Sequence, residues 1–280
     1  MTRKLLTSGV LLVLLVTVLL GGGAISIASA SEAFVIAGSP SMTDLLMALG
    51  AAFEAKHPGV RVRIHYGSGL ELRQMIATME NRDRTKYFIG SGPIHIVAPG
   101  GDEVITRLAM RYYVLPESRT SYATASLVLV VPESLVDAPS SFEAVAKDGR
   151  TRIAVADPKL TVLGQKTDEF LRALAGGRTT TWADRLDVAT DATGVLDHLL
   201  NGKADVAIVF GPEAVREADR VRVIAVAPEQ LDRPVTHSMA MERYCPDRAL
   251  CDEFLGFIRT PEAESIIKQL GYGLPKHRDD

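Results

Sequence analysis

The chain has 280 residues, 47% of them hydrophobic and 23% charged, with 31 basic side chains against 34 acidic ones and a net charge of −3. That length can bury a sizeable core, in one large domain or in two of roughly 100–150 residues. The mild acidity argues against a nucleic-acid partner, which favours a basic face, and an anionic ligand would have to be drawn by local dipoles because the global field does not help.

Taken in order, Thr2-Arg3-Lys4 lead into an apolar run from Val10 to Leu20, then Gly21-Gly22-Gly23, then Ala28-Ser29-Ala30. A positive start, an apolar core and a small-x-small site make an export signal over residues 1–30, with cleavage expected after Ala30. The alternative is an uncleaved anchor, against which the core is short and ends in glycines. No cysteine lies near the site, so a lipid-modified terminus is not expected. Cleavage would leave 250 residues with 29 basic and 34 acidic side chains, a net charge of −5.

Phe34-Val35-Ile36 reads as a buried strand that runs into the small, hydroxyl-rich turn Ala37-Gly38-Ser39-Pro40-Ser41. Asp44–Lys56 follows with an apolar stripe at helical spacing, Leu45, Leu46, Leu49 and Phe53. A second copy follows: strand Val60–Tyr66, turn Gly67-Ser68-Gly69 and a helix over Leu70–Met79. Helix N-termini hold anions without a charged side chain. These turns are therefore candidate anion sites, although Ser39, Ser41 and Ser68 could equally be plain caps and turn residues.

Further strands are expected at Ile94–Ala98, Leu127–Val131, Ile153–Ala156, Leu186–Ala189, Val206–Phe210, Val221–Val226 and Val235–Met241. Helices are expected at Glu103–Arg111, Phe142–Ala146, Gln165–Leu174, Gly194–Leu200, Pro212–Glu217, Asp247–Ile258 and Pro261–Leu270. The alternation implies an α/β fold of βαβ units with mostly parallel sheets. The pattern pauses at Val114–Ala125, polar and irregular, and again at Pro228–Pro234. Two pauses suit a chain that leaves one lobe and returns, giving two crossing hinge strands and a ligand cleft between the lobes. Lobe 1 is expected over 31–123 with 236–280, and lobe 2 over 124–235.

Cys245 and Cys251, six apart in a chain expected to be exported, are a disulfide candidate, with two reduced thiols as the alternative. None of His57, His65, His95, His198, His237 and His277 sits in a nucleophile-elbow or metal-ligand pattern. Asp44, Asp157 and Asp191 stand near the turns, where capping is their simplest role. Neither an enzyme, a metal site nor a cofactor is expected.

Pro40-Ser41-Met42-Thr43-Asp44, followed by Ala51-Ala52-Phe53-Glu54-Ala55-Lys56-His57-Pro58-Gly59-Val60, resembles the opening of bacterial periplasmic molybdate-binding proteins, receptors for ABC importers of the type II solute-binding superfamily. Tyr66-Gly67-Ser68-Gly69 is similar to that family's second turn, and Leu127–Pro132 to its hinge-crossing strand. Arg152–Pro158 with Gly164, Ala204–Phe210 and Phe254–Gly271 follow in the family's order. The resemblance implies two α/β lobes closing on a small tetrahedral oxyanion, molybdate or tungstate, held by neutral donors. It implies a monomer in the periplasm that delivers the anion to an inner-membrane permease. Carried over, the ligand-binding set is Ser41, Gly69 with Ser68 one residue early, backbone N–H groups near Leu163 and Ala192, and Phe210 where the family has a tyrosine. Ser39, Ser68, Thr161 and Thr193 are possible replacement donors, and His95 stands where an Asp is usual. Asn81–Gly92 is an insertion. These departures leave open sulfate, phosphate or an organic anion as the ligand, and a sensor or other non-transport binding module as the role.

Overall fold

The computed structural model describes residues 32–67, 94–176 and 182–276. The export signal, Ser68, Gly69, the helix expected at Leu70–Met79 and the insertion Asn81–Gly92 lie outside the described residues. The described chain runs β1 (Glu32–Gly38), α1 (Thr43–Lys56), β2 (Val60–Tyr66), β3 (Ile96–Ala98), α2 (Asp102–Met110), β4 (Thr120–Ala125) and β5 (Leu127–Pro132). It continues with α3 (Phe142–Asp148), β6 (Ile153–Ala156), α4 (Val162–Leu174), β7 (Leu186–Ala189), α5 (Ala192–Leu200), β8 (Val206–Phe210) and α6 (Gly211–Arg216). It ends with β9 (Val221–Val226), β10 (Val235–Met241), α7 (Arg248–Phe257) and α8 (Pro261–Gln269). No helix among the described residues is long and apolar enough to cross a membrane.

The strands form two five-stranded sheets, ordered β2-β1-β3-β10-β4 and β7-β6-β8-β5-β9. Each sheet with its helices makes one lobe. The expectation of mostly parallel sheets needs correction. β1 pairs in parallel with β2 and β3, and β6 with β7 and β8. β10 pairs antiparallel with β3 and β4, and β5 with β8 and β9. The cause is the crossings: β5 and β10 each arrive from the other lobe and run against the strands they join.

The polar stretch before Leu127 is also a correction. Thr120–Ala125 is a regular strand on the sheet edge, its first residues alternating between buried Thr120, exposed Ser121 and buried Tyr122. Small and hydroxyl side chains hide the period of two that an edge strand still obeys. The Ser121 and Ser238 hydroxyls meet across the β4–β10 pair at 2.9 Å. Leu127–Pro132 is therefore not itself the crossing. β5 lies wholly in the second sheet, and the chain changes lobe at Ser126 alone. It returns through residues 227–234, where the Ala227 N–H donates to the Leu127 carbonyl at 2.9 Å.

Lobe 1 is built around aromatic rings from three elements. Phe34, Phe53 and Phe254 are fully buried, with centroids 5.0 Å apart for Phe34–Phe254 and 5.1 Å, edge to face, for Phe53–Phe254. Phe257 and His57 extend the cluster. His57 caps the end of α1, its N–H bonded to the Phe53 and Glu54 carbonyls. His95, at the position where an Asp is usual, is a core residue: its Nδ1 accepts from the Val35 N–H at 3.1 Å and its ring packs on Phe34. Cys245 and Cys251 are joined as a disulfide at the start of α7. Lobe 2 packs Phe142 against Phe170 edge to face at 4.7 Å, and the buried Trp182 donates its Nε1–H to the Leu171 carbonyl at 3.0 Å.

Removing a ring from the centre of such a cluster leaves a cavity that the surrounding backbone cannot fill. Phe254→Ala should cost about 3–5 kcal/mol, read as a fall in the denaturant midpoint at constant slope. A loss under about 1 kcal/mol would mean the three aromatic elements do not share one core.

Candidate functional site

The carboxyl ends of β1, β3, β6, β7 and β8 lead into α1, α2, α4, α5 and α6. In open α/β sheets ligands bind beyond that edge. A cleft of about 730 Å³ lies there between the lobes, and residues from the start of all five helices line it.

In lobe 1 the turn after β1 supplies two hydroxyls. Ser39 holds extended backbone ahead of a 3-10 turn over Pro40–Met42 and makes no side-chain cap. Its Oγ lies 3.0 Å from Ser41 Oγ. Thr43 closes the turn instead, donating to the Pro40 carbonyl at 2.7 Å. The backbone therefore uses neither serine hydroxyl. Gly100, after β3, makes room for them: a Cβ there would stand 2.7 Å from Ser41 Oγ and 3.1 Å from Ser39 Oγ.

Lobe 2 supplies amides. The Thr161 hydroxyl accepts from the Gly164 N–H, and the Asp191 carboxylate from the Gly194 N–H, each at 2.9 Å. Each cap serves the third amide of its helix. The first two, Val162 and Leu163 in α4 and Ala192 and Thr193 in α5, keep no acceptor within the helix. Gly164 lets α4 approach closely, since a Cβ there would fall 2.4 Å from the Asp157 backbone.

Of the residues expected from sequence, Ser39, Ser41, Leu163, Ala192 and Phe210 line this cleft together. Thr193 lines an adjoining hollow of about 70 Å³ with Leu196 and Asp197, the next position along a helix pointing about 100° away. The three aspartates have local roles. Asp191 caps α5, Asp157 accepts from the Lys159 N–H at 2.7 Å, and Asp44 pairs with Arg216 of the other lobe at 3.0 Å. Among the described residues no three His, Cys, Asp or Glu side chains are grouped to hold a metal ion.

Two cleft residues escaped the sequence reading. Tyr272 reaches the cleft from beyond α8, on a turn that Gly271 makes at φ 82°. Its hydroxyl lies 3.8 Å from Met42 Sδ, and burial pushes its pKa up. A phenol thus stands in the cleft although Phe210 fills the family's tyrosine position. The sequence signal for it is the Gly-Tyr-Gly run at 271–273, directly after the last helix. The second residue is His237, buried on β10, with burial lowering its pKa to about 4.

Charge in the cleft is largely cancelled. Lys166, the lysine or arginine lining it among the described residues, faces Glu169 at 3.5 Å and Asp232 at 3.7 Å. Asp102 pairs with Arg119 and Glu103 with Arg107. Burial raises the pKa of Glu213 at the start of α6. The arrangement suits a small anion held by hydroxyls and helix-terminal amides.

Over residues 34–273 the chain matches the bacterial extracellular solute-binding protein family. It is 29% identical to the molybdate-binding protein ModA of Escherichia coli K12 across 153 residues, a stretch that spans 52% of this chain and only 57% of that relative. ModA of Mycobacterium bovis is 22% identical across 277 residues, 96% of this chain and 98% of the relative. A solved structure, the substrate-binding domain assigned to a molybdenum ABC transporter of Clostridium difficile, shares the fold with a TM-score of 0.76 at 20% identity, covering 88% of this chain and all of that one. With the match running through both lobes and the cleft between them, this chain belongs to the bacterial extracellular solute-binding protein family.

Proposed function

We propose that the chain is the periplasmic receptor of an ABC importer, a monomer without enzymatic activity that captures a small tetrahedral oxyanion of the molybdate or tungstate kind and presents it to a membrane permease. The observation that carries this reading is the Ser39–Ser41 hydroxyl pair against Gly100, sharing one cleft with the unpaired amides at Leu163 and Ala192. Such donors hold a dianion without burying a cation, and in a dry cleft each bond strengthens. The relatives named as molybdate-binding support the choice of anion. Tyr272 supplies the kind of hydroxyl that Phe210 lacks.

A second reading rests on the size of the cleft. About 730 Å³ is room for roughly two dozen waters at about 30 Å³ each, far more than one tetrahedral anion needs. An oxyanion therefore requires the lobes to draw together around it, whereas a larger organic anion would fill the cleft as it stands.

A thermal-shift screen separates the two. A ligand at about 100 times its Kd adds roughly 2.7 kcal/mol of stability, several degrees of melting temperature for a chain of this size. Molybdate or tungstate should give that shift. A response confined to sulfate, phosphate or organic acids would retain the receptor and replace the ligand, and no response to any of them would overturn anion binding.

One hydrogen bond to a charged ligand is worth about 1.5–3 kcal/mol, or one to two decades of affinity. Ser41→Ala should therefore weaken molybdate binding about 10- to 100-fold in calorimetry with the melting temperature of the free protein nearly unchanged. Gly100→Ala should weaken it at least as much, by pressing on both hydroxyls. Undiminished affinity in both variants would remove the serine pair from the site.

A further inference from the structure

The cleft holds a polar side chain that the neutral-donor scheme does not use. His237 is 5% exposed and lines the cleft, and neither ring nitrogen makes a hydrogen bond of full geometry, the Gly100 backbone offering only a partial one. β10 pairs with β4 through His237 and Ala123, and the register then shifts at Tyr122, the extra residue on β4. Val235 and Thr236 line the cleft beside His237. The imidazole packs edge to face on Tyr272 at 5.7 Å. The backbone of Gly100, the residue that seats Ser39 and Ser41, also lies against the imidazole and slightly favours its charged form.

A buried donor left without a well-formed hydrogen bond keeps much of the cost of its lost hydration. A ligand that bonds to it recovers that cost. We infer that His237 is an anion-binding residue of this cleft, which takes up a proton as the oxyanion docks and so couples capture of the anion to pH. The inference rests on the proposed oxyanion receptor. In the free protein burial keeps the ring neutral above about pH 4. An anion within hydrogen-bond reach favours the charged form and raises that value. Between the free and the bound pKa the complex holds the extra proton, so affinity falls up to tenfold for each unit rise in pH. The other titratable groups lining the cleft are Asp102 and Glu103 from α2, Lys166 and Glu169 from α4, Glu213 from α6, and Tyr272. Of these, Glu213 is the competing source of proton uptake, since burial raises its pKa too.

The test is calorimetric titration of the purified protein with molybdate at pH 6, 7 and 8, in pairs of buffers with different ionisation enthalpies. The expected result is uptake approaching one proton per anion at pH 6, with affinity falling from pH 6 to pH 7. His237→Gln, which keeps a neutral donor, should bind with no proton uptake and a flat pH profile. Glu213→Gln should retain the uptake. Wild-type binding without uptake, or uptake that persists in His237→Gln, would overturn the role of His237 and leave the receptor reading standing. No binding of molybdate, tungstate, sulfate or phosphate at any of these pH values would overturn both.

Discussion

An α-helix cannot satisfy its own first amides. Among the helices that open on the cleft, α6 passes its first amide to the Ser126 carbonyl and α1 its own to the Pro40 carbonyl, while α4 and α5 keep the deficit. Thr161 and Asp191 each cap the third amide of their helix and leave the earlier ones turned toward the cleft. The sheets make this possible. β1, β3, β6, β7 and β8 all deliver their helices to the same edge, so dipoles that would be scattered in another fold add at one place. The serine pair completes the set from lobe 1 because its hydroxyls are not spent on capping.

The charges around the cleft follow a consistent logic. Full cations inside it would bind anions tightly but without discrimination, and would have to be desolvated at each closure. Lys166 is instead held by Glu169 and Asp232, and Arg216 by Asp44 across the lobes. Attraction is left to fixed dipoles, whose orientation is set by the backbone and whose strength grows as water leaves. The negative net charge of the chain would then count little against the proposed anion, because selection would be made at short range.

Much of this was legible in the sequence where one local rule sufficed. The apolar stripe of α1, the buried strands β5, β6 and β8, the Thr260-Pro261 start of α8 and the Ser39–Ser41 turn follow from spacing and capping chemistry. What was not legible depends on contacts distant along the chain. Thr120–Ala125 becomes a strand because β10 lies beside it, and its small polar side chains gave no apolar signal. The antiparallel half of each sheet comes from where the chain crosses between lobes. Tyr272 reaches the cleft through a turn 230 residues from Met42, and His237 from β10, which arrives from the other lobe. Phe210 brings no hydroxyl to the cleft, and the phenol there comes from Tyr272 instead. Ser68 and Gly69 lie outside the described residues.

The lobes also touch where no side chain intervenes. Gly211 opens α6 in lobe 2 and Gly271 follows α8 in lobe 1, and a Cβ on either would stand within 2.5–2.7 Å of the other's carbonyl oxygen. Val215 of α6 packs at the same point, 2.7 Å from where a Cβ on Gly271 would stand, and Arg216 of that helix pairs with Asp44 of lobe 1. A methyl group on Gly211 would press on the Gly271 carbonyl and change how closely the lobes meet, whereas on Gly271, at φ 82°, it would also strain the turn that carries Tyr272. The spacing of the lobes at this point is thus held by two residues that have no side chain to offer the proposed ligand.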